Sequence, residues 1–508
     1  MYPFVKKYIL HTAVVCLFVF WAQTCVVAQT SDNASRENTV EMGLAEAVLL
    51  AVRNNRTIEN AYLRRVVQKY SLRVAGDEFV PNVDISGNLT FNENWNRTIL
   101  EKGSDKQRSQ DRRRGISAAV TERLPTGAQF TFSWTHNSSD MNLDFTKPDP
   151  RSSASSWRID VTQPLLKGGG IDVNMASLRT AHISEKLNIL NLKSTLISTV
   201  TGVISSYRSF MQAGRQAQIS KSSLERSKKL VEKNKLLIKA GRMASMELVQ
   251  AEADVARNEL SYQQALNNLD NARLNLINIL DIDKRTMIVP IEEVKIESLT
   301  PDLDECLEIA YRNRPDYLNS LLTRDTYEIN LVVAKNNRLW NLDLTSHYAF
   351  DKQLNRLSSD TDREDWGVGL SMQIPLYGDL TRGQQVVNAK VALQQHAISH
   401  RELNETIAIE IQDAIRDINI KLVQVQLAQQ SRKLSEKKLA IEQEKLNLGR
   451  TTNFQLVTFQ NDLVSAQTSE LNAKIDYLNA LTQLDQKLGT TLDTWKIEFK
   501  TERASSVQ

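Results

Sequence analysis

The chain is poor in residues that break helices. Its 508 residues include only 18 Gly and 10 Pro, less than half the usual combined share of about 12%. No proline occurs from Leu165 to Val289 or from Leu376 to the end, so two very long helical regions are expected, because proline removes a backbone donor and clashes with the preceding turn. Long hydrophobic runs are also scarce. A hydrophobic content of 41% and a mean hydropathy of −0.37 exclude a multispanning helical membrane protein. A formal charge of only +3 gives no reason to expect nucleic acid as a partner.

Cysteine is nearly absent too. Cys16 and Cys25 lie in an N-terminal segment in which Lys6 and Lys7 precede an apolar run from Tyr8 to Val19. Val26 and Ala28 then stand at −3 and −1 of a cleavage site before Gln29. Residues 1–28 read as a signal peptide, with a membrane anchor as the competing reading. Neither cysteine follows the Gly, Ala or Ser that a lipid-attachment site prefers. Cleavage takes away two lysines and no acids, so the charge of +3 becomes +1. It leaves Cys306 alone, which excludes an intrachain disulfide in the mature chain. Residues 29–40 read as a linker.

What the chain does have is an internal repeat. Residues 44–91 align without a gap on 303–350, with fourteen identities in 48 positions, including Arg53/Arg312, Asn54/Asn313, Asn82/Asn341, Asp84/Asp343 and Phe91/Phe350. Gly241-Arg242 and Leu248-Val249 align in turn with Gly449-Arg450 and Leu456-Val457. The first repeat, 41–282, carries extra residues between Phe91 and Gln163. The second is 303–489, the joint between them is 283–302, and 490–508 is a tail.

Six segments alternate with period two, as strands with one apolar face do. Four lie within 82–164, built on Val83 to Phe91, Ile116 to Leu124, Phe130 to Trp134 and Trp157 to Val161. The others lie in 341–350 and 366–374. A length of about 8 to 10 residues suits tilted bilayer-crossing strands. Trp95, Trp134, Trp157, Trp340 and Trp366 fall near strand ends, where an interfacial girdle would place them. Residues 92–115, 136–156 and 351–365 read as long polar loops and Leu124-Pro125-Thr126-Gly127 as a tight turn, the asymmetry of an outer-membrane barrel. Six strands cannot close a barrel alone, so oligomerisation is implied. A soluble β-sandwich competes but leaves the signal peptide, Trp placement and loop asymmetry unconnected.

The long helical segments, 172–240 and 379–448, would each span about 100 Å. The shorter ones, 41–79 with 246–281 and 303–338 with 454–488, would match that length if stacked end to end. Leu224, Val231 and Ile238, and then Leu434, Ile441 and Leu448, recur at the seven-residue spacing of left-handed coiled coils. Each hairpin reverses at a glycine, in turns 241–245 and 449–453. Gly241 and Gly449 would supply left-handed backbone, and Ser245 or Asn453 would cap the next helix.

Several short motifs stand in duplicated order. They are Arg312-Asn313-Arg314-Pro315-Asp316, then Gln163-Pro164-Leu165 and Ile374-Pro375-Leu376 at strand-to-helix junctions, and the two Gly-Arg turns followed by Glu247-Leu248-Val249-Gln250-Ala251-Glu252 and Gln455-Leu456-Val457. In these the chain resembles the TolC-like outer-membrane efflux protein family over essentially its whole mature length. The resemblance implies a mainly α fold with a membrane β-barrel portion: a homotrimer with an α-helical tunnel of long coiled-coil hairpins and a transmembrane barrel shared between protomers. It implies a passive trans-periplasmic duct for efflux or type I secretion, set in outer-membrane lipid. Its tip, with Gly241, Arg242, Ser245, Gly449, Arg450 and Asn453, would dock on a periplasmic membrane-fusion adaptor and an inner-membrane pump. Members narrow the tip with carboxylates just past the turn. Glu247 matches such a position, while the second copy offers Gln455 and Thr458. Members usually give four strands per protomer, whereas this chain reads as six, with 116–135 as the added hairpin.

Other classes find less support. A structural trimeric coiled-coil and barrel envelope tether or adhesin predicts one strand domain at one chain end and no duplication, so the repeat argues against it. For an enzyme, His396 and His400 are one turn apart, but Ala397 stands where a zinc protease needs its Glu, so no metal, cofactor or catalytic residue is expected. Gly168-Gly169-Gly170 lacks the Lys-Ser/Thr of a phosphate loop and reads as a flexible barrel-to-tunnel junction. Asp111-Arg112-Arg113-Arg114, on a predicted outside loop, reads as a solvated charge run or as a contact with anionic headgroups.

Overall fold

A computed structural model describes residues 39–100, 103–143, 151–241, 243–292, 296–356, 359–377, 380–448 and 450–498. The expected signal peptide and most of the linker lie outside the described residues. The first repeat comprises β1 (Thr39–Met42), α1 (Leu44–Asn54), α2 (Arg56–Asp77), β2 (Asn82–Leu100), β3 (Gly103–Arg123), β4 (Gln129–Leu143), β5 (Arg151–Pro164), α3 (Ile171–Asn174), α4 (Ala176–Lys239) and α5 (Met246–Leu280). The joint holds β6 (Met287–Pro290), the second repeat comprises α6 (Leu303–Asn313), α7 (Pro315–Asn337), β7 (Asn341–Asn355), β8 (Thr361–Gln373), α8 (Leu380–Asn447) and α9 (Asn453–Leu488), and the tail carries α10 (Thr491–Thr494).

Several expected elements are divided. The helix expected over 41–79 begins as strand β1, which pairs in parallel with β6 inside the expected joint 283–302, so that joint is not plain linker. The helix then breaks at Asn55, whose side chain accepts from the amides of Thr57 at 2.8 Å and Ile58 at 3.4 Å and donates to the Ile279 carbonyl at 2.8 Å. One amide thus caps α2 and ties it to the end of α5. The helix expected over 303–338 breaks in the same place at Arg314, held extended before Pro315 by the clash that proline imposes on its predecessor. The segment expected as one helix over 172–240 is broken at Met175. In the tail, α10 returns Leu492 to the first core.

The second break is closed by charge. Arg314 forks onto Asp316 at 2.7 and 3.0 Å and reaches Glu410 on α8 at 2.7 Å. Burial works against the Asp316 carboxylate, but Arg314 and backbone amides hold its pKa below the ordinary aspartate value. Gly489, past the end of α9, is at φ +75, and a Cβ there would stand 2.8 Å from the Asn313 carbonyl oxygen. Each repeat has its own apolar core, one around Val200, Ile204 and Leu276 and one around Ile407, Ile411 and Ile418. Arg208 of α4 bridges the copies, donating to the Leu478 carbonyl at 2.6 Å and the Thr482 hydroxyl at 2.7 Å on α9. Burial lowers its pKa to about 10, so it remains a cation at neutral pH.

The expected heptad positions divide between faces. Leu224 and Val231 are buried, whereas Leu434, Ile441 and Leu448 are exposed. Helix α8 turns Leu439 and Leu446 inward instead.

The six expected strands form one antiparallel sheet in the order β2-β3-β4-β5-β7-β8, so the 116–135 hairpin is part of it. The strands run 13 to 21 residues, well beyond the expected 8 to 10. Most of 92–115, 136–156 and 351–365 is therefore ladder, not loop, because backbone pairing continues after the side chains turn polar. Trp134, Trp157 and Trp366 consequently sit within strands. Register puts Val83, Ile85, Leu89, Phe91, Phe132, Trp134, Trp157, Tyr348 and Trp366 on one face. The other carries Asn82, Asp84, Ser86, Thr90, Gln129, Thr131, Thr345 and Gln373.

The apolar belt slants across the ladder. Its centre is near Gly87 on β2, in the row of Ile116, His136, Ser155, Lys352 and Asp362, yet near Gly369 on β8. That drift of about seven residues over five strand steps, at about 3.3 Å per residue and 4.8 Å per strand, levels the belt when the strands tilt by about 45°, as membrane barrels do.

Gly489→Ala should destabilise the protein by about 1–3 kcal/mol, from left-handed backbone strain and contact with Asn313. Gly214→Ala, inside α4, where a Cβ meets only Leu269 at 3.8 Å, should gain up to about 1 kcal/mol. Thermal unfolding of the two variants checks the contrast, and equal shifts would remove the close-approach account of Gly489.

Candidate functional site: hairpin tips and the polar sheet face

Helices α4 and α8 have 64 and 68 residues, about 96 and 102 Å, and carry their turns to one distant end. At the first, Gly241 is at φ +70 and its amide donates to the Ile238 carbonyl at 2.9 Å. Ser245 is exposed and makes no side-chain cap. Arg242 and Gly449 lie outside the described residues. At the second turn the Arg450 amide reaches back to the Lys445 carbonyl at 2.9 Å. The cap is Thr452, whose hydroxyl accepts from the Gln455 amide at 3.3 Å, not Asn453. The signal for it is the Thr452-x-x-Gln455 spacing of a capping box.

Asn453 is instead buried at the contact between the hairpins, its amide 3.5 Å from the Met243 sulfur. Lys233 also bonds Asn447 across this contact. Leu230 of α4 joins Leu439, Leu446, Leu456 and Leu463 in a small apolar cluster. One helical turn on from Leu230, Asn234 has no exposure and no side-chain hydrogen bond among the described residues. An amide buried without a partner costs about 1–3 kcal/mol, which works against this contact. Of the expected constriction residues, Glu247 is half-buried, while Gln455 and Thr458 are exposed. The Thr458 hydroxyl is turned back to the Phe454 carbonyl at 2.9 Å.

Where sheet meets helix, the glycine run 168–170 is braced rather than loose. The Asn174 amide donates to the Gly168 and Gly170 carbonyls, both at 2.8 Å. Asn336 accepts from the Gly168 amide at 2.7 Å and donates to the Leu166 carbonyl at 3.1 Å. The Leu124–Gly127 turn docks here as well, through the Thr126 carbonyl to the Gly170 amide at 3.1 Å and through Arg123 to Asn174 at 3.0 Å. A Cβ on Gly127 would come within 2.3 Å of the Gly168 oxygen. From this floor the polar face presents hydroxyls, amides and paired charges, among them Arg158 with Asp160 at 2.8 Å and His347 with Asp365 at 3.2 Å. The histidine pair on α8 is held by Ser320, His400 at its hydroxyl and His396 at its carbonyl, both at 2.9 Å.

Comparison with known proteins places this arrangement. The family described as outer membrane efflux protein matches residues 48–281 and 306–490. No curated protein sequence matches the chain. Among solved structures, the CmeC outer membrane channel of Campylobacter jejuni is similar at a TM-score of 0.65 and 16% identity, over 91% of this chain and 90% of that one. The outer membrane protein VceC of Vibrio cholerae gives 0.63 and 13%, over 88% and 96%. The open-state MtrE outer membrane channel of Neisseria gonorrhoeae gives 0.59 and 14%, over 92% and 96%. At such identities the likeness shows the fold.

Glu442, buried beside the second turn, gives the tip a pH dependence. The Thr451 hydroxyl, then Lys445 and Lys438, hold its carboxyl below the ordinary glutamate range. A depressed folded pKa stabilises above the unfolded value and is lost as pH falls through the folded one. Amide protection around 446–456, taken relative to the intrinsic exchange rate at each pH, should therefore be full at pH 7 and fall only below the ordinary glutamate range. Glu442→Gln should lower it already at pH 7; equal protection in the two proteins at pH 7 would remove Glu442 from the clamp.

Proposed function

The chain belongs to the outer membrane efflux protein family and lies in the outer membrane, and we propose that it is a passive duct for efflux or type I secretion. Copies of it share one barrel, and their tips are held by a periplasmic adaptor and an inner-membrane pump that supplies the energy. The observation that carries this reading is the sheet: one apolar face, one polar face, a belt level at membrane-barrel tilt, and two free edges, β2 and β8. Lipid cannot satisfy those edges, so β8 of one copy meets β2 of the next. Exposed Leu427, Leu434 and Ile441 on α8, with Leu448 just past its end, recur every seven residues, the spacing of a helix that awaits a coiled-coil partner, and a second copy of the chain supplies it.

In a trimer the three sheets close eighteen strands. At a tilt of about 45° their backbone circle is about 39 Å across, wide enough for the water-filled lumen of porin-sized barrels. The tip residues Gly241, Arg242, Ser245, Gly449, Arg450 and Asn453 then stand at the periplasmic end for docking, and Glu247, Gln455 and Thr458 just behind them for constriction. The closed apolar contact around Leu230 and Asn234 keeps the path narrow until a partner spreads it.

Purified protein in a planar bilayer should conduct, weakly as wild type and several-fold more when Asn234→Asp charges the tip contact. Silence from both would sink the duct. Ser86→Cys with Ser371→Cys, paired by a level belt across the β2–β8 edge, should give a disulfide ladder ending at three chains. Crosslinkers at Arg242 or Arg450 should retrieve an adaptor and its pump; retrieval of neither would favour a tether.

A further inference from the structure

The run Asp111-Arg112-Arg113-Arg114 is not on a loop. It lies within β3, paired with β2 on one side and β4 on the other, so its side chains alternate between the faces. Arg113 points to the polar face and pairs with Asp111 at 2.6 Å. Arg112 and Arg114 stand opposite Phe91 and Leu89 on the apolar face, at the end of the belt away from the helices, and Arg108 follows on the same face beside Trp95.

Arg151 of β5 shares this face through Asp140, its cross-strand neighbour and that of Arg112. The four arginines meet only two carboxylates among the described residues of this face from β2 to β5. Glu93 pairs with Arg108 at 2.7 Å, and Asp140 is shared between Arg151 at 3.5 Å and Arg114 at 3.9 Å. Among the described residues Arg112 makes no ion pair. It is exposed and lies over the Phe91 ring at 5.8 Å, and Arg108 lies over Trp95 at 5.5 Å. A guanidinium beside an aromatic ring keeps N–H donors free for an anion.

An arginine on a lipid-facing surface is costly at mid-membrane and nearly neutral at the interface. Its planar fork fits phosphate oxygens two at a time. We propose that Arg108, Arg112, Arg114 and Arg151 form a binding site for the phosphate of an anionic glycolipid in the outer leaflet, with its acyl chains against Phe91 and Leu89. This rests on the barrel reading above, which puts the end of the sheet away from the helices at the cell surface. The two cations left over on this face, and the unpaired Arg112 in particular, are what the phosphate neutralises.

The test uses the full-length protein in phosphatidylcholine nanodiscs doped with a bisphosphorylated glucosamine-disaccharide lipid, and counts retained glycolipid by native mass spectrometry. Arg112→Gln with Arg114→Gln should lower retention by roughly fivefold per arginine. Arg113→Gln, one residue away on the opposite face, should leave it unchanged. The dephosphorylated glycolipid should be retained no better than by the double variant, and millimolar inorganic phosphate should not displace the bound lipid. Undiminished retention by the double variant, equal loss in Arg113→Gln, equal retention of the dephosphorylated lipid, or displacement by free phosphate would each overturn the site. Bilayer conductance of the double variant should match wild type. Silence from wild type and Asn234→Asp alike would count against the barrel reading, whereas conducting protein with unchanged lipid retention in the double variant counts against this site alone.

Discussion

A backbone amide in hydrocarbon must find its partner within protein, and the sheet here leaves two rows of amides and carbonyls, along β2 and β8, without one. Much of the rest follows from that constraint. Six strands are too few to curl onto themselves, so the fold is unfinished in a single chain. The unpartnered apolar stripe on α8 is the helical counterpart of the same incompleteness. On the proposed assembly, another copy standing beside the protomer meets both. The described residues hold no disulfide, and each repeat rests on its own apolar core.

The duplication shows how one mechanical problem is solved twice with different chemistry. In each repeat a short helix must stop, turn and continue while the returning helix ends against it. The first copy uses a neutral amide, Asn55, which caps one helix and holds the end of the other. The second uses a cation, Arg314, clamped between Asp316 and Glu410 and packed against a glycine that comes too close to Asn313 to carry a side chain. The Arg-Pro-Asp sequence that stands out in the chain is thus a joint: proline sets the extended residue before it, and the carboxylate two residues on fixes the arginine. Arg208 then ties the first copy to the second by bonds to α9 carbonyl and hydroxyl oxygens.

Much of this was legible in the residues. The repeat, the six alternating segments, the faces of the sheet and the reversal at Gly241 follow from spacing and composition, because such patterns report geometry directly. The strand ends were not legible. Beyond the belt, Asn92, Asn94 and Asn96 resemble loop composition, and only pairing with a neighbour makes them strand. The break at Asn55 was hidden for the converse reason, since neither glycine nor proline marks it and its cause is a hydrogen bond to Ile279, far away in sequence. Arg314 could have been read, as the residue before a proline. Thr452 could have been too, three residues before Gln455. The stripe at Leu434, Ile441 and Leu448 was legible as a seam but not as to whose seam, because spacing does not distinguish a partner in the same chain from one in the next.

The turn at Leu124–Gly127 has a consequence for how such molecules diversify. Four of the six strands continue into helices, but β3 and β4 end in this turn, which rests on the glycine floor through Thr126 and Arg123. Circumference in the membrane and stave number in the tunnel are therefore separate quantities. A hairpin can be added to the mouth of the conduit while every helix keeps its neighbours, so an ancestral chain could widen its outlet by one local insertion without renegotiating the machinery at the other end.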